Sequence, residues 1–314
     1  MSQPLPRPDD ALLRLARAVQ ETGYHFTTPA PATHARVNAR PHNAWARDLR
    51  DVFGWSRPFR PDILPPGLFA LMQEADIAEP HGDGWRSLMR LSTLSGLLFL
   101  HSAYPTTSAD SVFFGPDTYR FARTIASHLE RRAPPVHRAV DVGCGAGPGA
   151  VLLARDLPGA EILAVDINPA ALRLTRVNAV LAGVQVHTCH SDLLTQVHGL
   201  FDLIIANPPY LVDPAARAYR HGGGSLGANL SLDIVRAACD RLAPGGTLLL
   251  YTGAAVVNGD DPFRAAATAQ LEAAGLGWAY EEVDPDVFGE ELAEGAYRCA
   301  DRIAAVVLTA NKTR

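Results

Sequence analysis

Asn207-Pro208-Pro209-Tyr210 is the stretch of this chain whose residue types and spacing most directly suggest chemistry. It closes an apolar run, Phe201-Asp202-Leu203-Ile204-Ile205-Ala206, that reads as a buried parallel strand feeding a rigid turn. The prolines fix the backbone and keep the residue before them extended. Asn207 therefore leaves the strand end with its amide held outward, and Tyr210 stands three residues on. Such a corner suits a planar NH2 group. The asparagine oxygen and a backbone carbonyl accept its two hydrogens, and the phenol ring stacks on its flat face. The plainer alternative is a turn after a core strand, because Asn-Pro commonly starts turns.

A second constellation lies upstream. Arg138-Ala139-Val140-Asp141-Val142 is a short strand, followed by Gly143-Cys144-Gly145-Ala146-Gly147-Pro148-Gly149 and a helical run from Ala150. Strand, glycine loop and helix let backbone approach a ligand closely and aim the partial positive charge of a helix N-terminus at it. The next strand, Glu161 to Val165, ends in Asp166, an acidic group placed to take both ribose hydroxyls of an adenosine ligand. A third strand, Val184 to Cys189, ends in His190-Ser191-Asp192-Leu193, where a carboxylate can accept from an adenine amine. Gly145, Gly147 and Ala150 also satisfy the G-x-G-x-x-A spacing of nicotinamide dinucleotide sites, so the glycines alone do not decide. Three features favour S-adenosylmethionine: glycines starting just after Asp141, Pro148 inside the loop, and Asn-Pro-Pro-Tyr after the fourth strand. Cys144 in that loop reads as a small filler, and His190 as a cap on its strand end.

From about residue 112 to 310 the chain resembles a class I S-adenosylmethionine-dependent methyltransferase. Within that class it resembles the Asn-Pro-Pro-Tyr group, which methylates glutamine side chains of proteins and the exocyclic amine of adenine. Val112-Phe113-Phe114-Gly115-Pro116-Asp117-Thr118-Tyr119 is similar to the segment preceding the catalytic domain in the glutamine methyltransferases of release factors and a ribosomal protein. Those enzymes usually read Pro-Arg-Pro-Glu-Thr there, and this chain lacks the arginine. Tyr219-Arg220-His221 and Gly224-Ser225-Leu226-Gly227 resemble the substrate loop of the ribosomal-protein enzyme. The resemblance implies a seven-stranded Rossmann-like α/β sheet, its last strand antiparallel, with ligands beyond the carboxyl ends of the strands. It implies that Asp141, Gly143 and Gly145 hold the methionyl end of S-adenosylmethionine, Asp166 with Ile167 the ribose, and Asp192 with Leu193 the adenine. Phe114 and Pro116 would wall the pocket. Asn207 and the Pro208 carbonyl would bind the acceptor nitrogen, and Tyr210 would stack on it.

Composition and organisation fit such an enzyme. The 314 residues, 47% hydrophobic, suffice for two domains with real cores. The division is expected near residue 110, with an N-terminal substrate-recognition domain over 1–110 and the methyltransferase domain over 111–314. The first part begins with a helix around Ala11 to Val19, continues through proline-broken segments at 29–41 and 57–66, and holds a helix over Gly67 to Ala75 and an apolar segment from Trp85 to His101. It reads as a smaller, mainly helical or winged-helix-like domain. Helices are expected over Thr118 to Arg131, after Gly147, and over Asn168 to Leu181, Leu230 to Leu242 and Pro262 to Ala274. Gly246 to Tyr251 reads as a fifth strand, and Gly277 to Val283 with Arg302 to Leu308 as a terminal hairpin. Four scattered cysteines give neither a zinc pair nor a disulfide framework. The N-terminus lacks a basic-then-apolar signal, and Leu94 to Leu100 is too short to span a bilayer, so a cytoplasmic enzyme is expected.

A net charge of -5 argues against a protein that coats nucleic acid. Residues 1–60 nevertheless hold nine arginines against five acids, which suits either a solvated helical face or a grip on phosphate. Arg217, Arg220 and His221 read either as a mobile loop that grips substrate or as a solvated one. Glu290, Glu291 and Glu294 read as solvated surface. Three acceptors follow: a protein glutamine, preferred for the segments around Gly115 and Tyr219; adenine in RNA or DNA; and a small-metabolite nitrogen, with the N-terminal domain as a lid.

Overall fold

The computed structural model describes residues 6–131, 135–213, 215, 217, 219–293 and 295–313. Helices α1 (Arg7–Glu21), α2 (Pro31–Asn38), α3 (Leu49–Phe53) and α4 (Leu68–Glu74) open the chain. Two antiparallel hairpins follow: β1 (Ala78–His81) with β2 (Gly84–Ser87), and β3 (Met89–Leu94) with β4 (Leu97–Ser102). The apolar segment from Trp85 to His101, expected to belong to a mainly helical domain, is thus largely strand. Ser95 and Gly96 explain it. Both have positive φ, 50° and 79°, and they join Leu94 to Leu97 as the two-residue turn that suits a right-twisted hairpin.

Strands and helices then alternate: α5 (Pro116–Arg131), β5 (Arg138–Val142), α6 (Pro148–Asp156), β6 (Glu161–Asp166), α7 (Pro169–Leu181), β7 (His187–His190), β8 (Phe201–Ala206), α8 (Asn229–Arg241), β9 (Leu242–Val256), α9 (Pro262–Ala273), β10 (Gly277–Asp284) and β11 (Arg302–Asn311). Seven of the strands form one sheet in the order β10-β11-β9-β8-β5-β6-β7. β11 runs antiparallel to both its neighbours, as a returning last strand does, while β5 to β9 pair in parallel. β5 and β8 lie side by side at the centre, so the glycine loop and Asn207 leave the same sheet edge from adjacent strands. This crevice, where the chain's order reverses between β5 and β8, is where ligands meet open α/β sheets.

Local signals fix the helices around it. Asn168 caps α7 by accepting the Ala170 N–H at 2.9 Å, with Pro169 in the first turn. Asp261 caps α9 in the same way through Arg264 N–H, at 2.8 Å. The N-terminal helices and the β3–β4 hairpin share one apolar core with α6 and α7, in which Leu12, Leu15, Phe99 and Leu100 pack with Val151 and Val177. Fully buried Asn178 on α7 secures that seam. Its amide nitrogen donates to Leu100 O at 3.0 Å and to Ala146 O at 2.8 Å, and its oxygen accepts Leu100 N–H at 2.9 Å. One side chain thereby ties the hairpin to the glycine loop.

Of the nine arginines in residues 1–60, Arg7, Arg14, Arg47, Arg57 and Arg60 pair with carboxylates of the same region, and Arg57 is buried against Asp51, while Arg17, Arg36, Arg40 and Arg50 are exposed. Among the described residues no helix is long and apolar enough to cross a membrane.

Candidate active site

A cleft of about 230 Å3 lies beyond the carboxyl ends of β5, β6, β7 and β8. Asp141, Gly143, Gly145, Asp166, Ile167, Asp192, Leu193, Asn207, Pro208 and Tyr210 all line it. Residues 25 to 69 positions apart are brought together because parallel strands end on one edge.

The glycine loop leaves β5 with positive φ at Gly143, Gly145 and Gly147, conformations that side chains rarely adopt. A Cβ built on Gly143 or Gly145 would meet no atom within 4 Å, so both faces are open toward the cleft. Asp166 braces the loop from the next strand. Its Oδ2 accepts Gly145 N–H at 2.9 Å and its Oδ1 accepts Asn168 N–H at 2.8 Å. The carboxylate lines the cleft and keeps acceptor capacity that suits ribose hydroxyls. Burial raises the Asp166 carboxyl above its ordinary range, and these backbone N–H bonds oppose the shift. Asp192 is exposed at the tip of β7, and Ile167, 52% exposed, flanks Asp166 as an apolar face. His190 Nε2–H donates to Ile167 O, 3.0 Å away, tying the tips of β6 and β7 together.

Asp141 sits deeper than the resemblance suggests. It is 2% exposed, and its Oδ2 accepts Ala150 N–H at 2.9 Å beneath the N-terminus of α6. A Cβ on Gly149 would fall 2.6 Å from that oxygen, so the close approach requires glycine there. Burial, reinforced by the Asp166 charge, pushes the Asp141 carboxyl up to about 7 against the opposing pull of the Ala150 bond. A carboxyl raised on folding holds its proton more tightly in the native state. Its contribution to stability is complete below the ordinary value of 3.8 and is lost as pH rises through about 7. Asp141→Asn, which cannot ionise, should therefore gain Tm relative to the parent as buffers are taken from about pH 5 to about pH 8, followed by circular dichroism. A difference that stays constant with pH contradicts this.

On the acceptor side, Asn207 is half-buried, and among the described residues its side-chain amide has no hydrogen-bond partner. Tyr210 is different. It is 6% exposed, and its hydroxyl donates to Asp117 Oδ2 at 2.6 Å. Asp117, in the first turn of α5, also accepts from Tyr251 OH at 2.8 Å and from Arg120 Nη1 at 3.1 Å. The Tyr210 ring is boxed by Phe288 on one side, centroids 5.8 Å apart, and by Gly253 of β9 beneath. Asp117 and Tyr251 were not singled out in the sequence. The only signal was an acid after proline in a segment already marked as informative.

Four expectations are corrected. Phe114 does not line the cleft. In the extended segment 111–114 successive side chains point opposite ways, so Phe113 faces the cleft and Phe114 stacks on His101 at 4.8 Å in the N-terminal core. Pro116 begins α5 and is not part of the wall. Gly115 occupies the place where the resembled enzymes usually carry arginine, and a Cβ there would lie 2.5 Å from Phe113 Cζ. Arg217 and His221 are held by hydrogen bonds in the loop after β8: Arg217 Nη2 donates to Asp213 Oδ1 at 2.7 Å, and Asp213 N–H donates to His221 Nδ1 at 3.1 Å. Arg220 pairs with Glu291, which is 8% exposed rather than solvated, while Glu290 is exposed and Glu294 lies outside the described residues.

Comparison with known proteins decides the family. Residues 107–258 match the family model described as Methyltransferase small domain. A release factor glutamine methyltransferase of Bordetella pertussis is 32% identical over 245 residues, which cover 72% of this chain and 87% of that protein. The chain belongs to the S-adenosylmethionine-dependent methyltransferase family. The release factor glutamine methyltransferase of Deinococcus radiodurans is 35% identical over 199 residues, 59% of this chain and 66% of the relative. Of several other relatives the methyltransferase spans about half the length. Among solved structures, Trm5b of Pyrococcus abyssi shares the fold at 15% identity, with a TM-score of 0.50 over 76% of this chain and 62% of that one.

The cleft of this methyltransferase suits S-adenosylmethionine on its own geometry. It offers an open glycine loop, an acid with spare acceptor capacity at the end of β6, and a second acid one strand further on. The two halves are separable by mutation. A Cβ on Gly253 would stand 2.1 Å from Tyr210 Cδ2, and the ring is locked by Asp117 and Phe288. Gly253→Ala should therefore push the ring into the acceptor side. It should lower transfer about 10- to 100-fold while S-adenosylhomocysteine affinity, measured by calorimetry, stays within a few-fold.

Proposed function

We propose that this methyltransferase moves a methyl group from S-adenosylmethionine to a planar amide or amino nitrogen, specifically a protein glutamine of the release-factor or ribosomal-protein type. One observation carries the reading: Asn207, with an unpartnered amide, and Tyr210, with a fixed ring, line the same cleft as the glycine loop and Asp166. The glutamine assignment draws on the relatives, five of which are named release factor glutamine methyltransferases.

When bound, S-adenosylmethionine supplies an electrophilic methyl group, so the protein's task is orientation. An amide nitrogen is a weak nucleophile because its lone pair is delocalised into the carbonyl. Asn207 Oδ1 and the Pro208 carbonyl accept its two hydrogens, favour pyramidalisation and localise the pair. These bonds strengthen as positive charge grows on the nitrogen, so they assist the transition state more than the ground state. The two prolines hold both acceptors at the strand end without reorganisation. Tyr210 keeps the acceptor plane in register, and Asp117 fixes Tyr210. The glycine loop, Asp166, Ile167, Asp192 and Leu193 hold the donor, and Asp141 supports the loop from below.

Labelling tests this. Purified enzyme, donor carrying a tritiated methyl group and a cell extract freed of small molecules are combined, and the product is split with protease or nuclease. Protease-sensitive label supports the reading. Nuclease-sensitive label transfers it to adenine in RNA or DNA, and label in neither pool to a small metabolite.

A further inference from the structure

Beside the cleft lies a second, smaller recess that the transfer chemistry does not use. It is lined by Arg90, His34, His101 and Tyr104, and it shares Pro31, Thr106 and Phe113 with the wall of the main cleft. Arg90 on β3 faces His101 on β4 directly across the hairpin, so both side chains project from one face. Arg90 is 4% exposed, its Nε is buried without a hydrogen-bond partner, and among the described residues no carboxylate pairs with it. Among the described residues the other arginine buried to this degree, Arg57, is paired with Asp51. A buried, unpaired guanidinium is costly, and a fold keeps one where an anion completes it.

The surroundings specify that anion. The groups facing Arg90 are the phenols of Tyr24, Tyr104 and Tyr119 and the imidazoles of His34 and His101. Tyr24 OH donates to Leu91 O at 3.0 Å and Tyr119 OH accepts Thr28 N–H at 3.0 Å; both are neutral phenols that bring no charge to balance the guanidinium. Burial and the arginine charge pull His34 down to about 4 and His101 well below the ordinary histidine range, so both rings are neutral near pH 7. The recess therefore carries one positive charge, which matches a single negative charge rather than the two of a phosphate. It encloses only about 10 Å3, room for one small polar group. A ligand that enters it must keep its body in the adjoining cleft.

We infer that Arg90 forms a carboxylate-binding subsite, in which the guanidinium receives the carboxylate head of a molecule lying in the main cleft. Two sources present that chemistry: the methionyl end of the methyl donor, and a free carboxylate on the acceptor. The donor source rests on the reading given under Proposed function; the subsite itself does not.

Titration calorimetry and thermal melting of the full chain distinguish these. S-adenosylhomocysteine carries the carboxylate, and methylthioadenosine keeps the nucleoside without it. If the donor supplies the group, Arg90→Met should weaken S-adenosylhomocysteine about 10- to 100-fold and leave methylthioadenosine unchanged. If the acceptor supplies it, Arg90→Met leaves both nucleosides unchanged. Sodium acetate, against sodium chloride at equal ionic strength, should then raise the Tm of the S-adenosylhomocysteine-loaded parent saturably and not that of the variant. Arg90→Met removes a buried charge without leaving a partner unpaired, so it is expected to fold. Arg90→Lys, which keeps the charge and loses the fork, should retain part of either response. Arg90→Met behaving as the parent in both arms, or a parent that responds to neither carboxylate, overturns the inference. Failure of the parent to bind either nucleoside would instead count against the methyl-transfer reading, and acetate on the unliganded chain then decides the subsite alone.

Discussion

Asn207→Ala should lower kcat for methyl transfer by about two to three orders of magnitude or more while S-adenosylhomocysteine affinity stays within a few-fold. The asparagine sits at the end of β8, where the proline pair forbids the chain from relaxing, and among the described residues its amide engages nothing. Removing it costs no internal hydrogen bond, so the fold should be indifferent. The acceptor nitrogen, by contrast, loses one of the two acceptors that localise its lone pair. Asn207→Asp is a sharper companion: it keeps an acceptor at the same place but adds a charge that attracts the sulfonium in the ground state as well. Parallel calorimetry and initial-rate measurements check the split. If nucleoside affinity collapses together with the rate, Asn207 has a structural task and the acceptor assignment fails.

Asp166→Ala should act on the opposite half of the cleft. The carboxylate accepts Gly145 N–H and Asn168 N–H and keeps acceptor capacity for a ribose diol. Its loss removes two charge-assisted bonds to the nucleoside and the brace of the glycine loop at once. Affinity for S-adenosylhomocysteine should fall by about 100-fold or more, with kcat at saturating donor much less affected. Asp166→Asn separates the two tasks, since its amide oxygen can still accept one backbone N–H. An Asp166→Ala variant that binds nucleoside as tightly as the parent removes the ribose site from this position.

The parts of the site written in contiguous residues were legible in the sequence. A strand, a glycine loop and a helix starting at Pro148 declare themselves because each signal is local, and so does the Asn-Pro-Pro-Tyr corner. The alternation of apolar runs with helices located most of the strands, and the seven-stranded sheet with an antiparallel last strand was what the resemblance implied; the strand order came from the structure. What the sequence hid was orientation and long-range pairing. Phe113 and Phe114 are chemically alike, and only the extended path of the backbone decides which faces the cleft. Asp117 meets Tyr210 and Tyr251 across 93 and 134 positions, a contact that no spacing rule reaches. β4 was obscured for a different reason. Four of its six residues are buried on both faces, against the N-terminal helices and α7, so the alternation that marks a half-exposed strand is missing. Glu291 looked like solvent-facing charge among acidic neighbours until Arg220 reached it from the loop after β8.

The central claim is that the corner at Asn207 delivers a methyl group to an amide nitrogen. Its most direct test is tandem mass spectrometry of the protease-sensitive product formed by the parent enzyme and by Asn207→Ala. The account predicts a single added methyl on the side-chain nitrogen of a glutamine, formed by the parent and missing with the variant. A methyl placed on a carboxylate, a lysine or a nucleobase, or a glutamine modified equally by both enzymes, would contradict it.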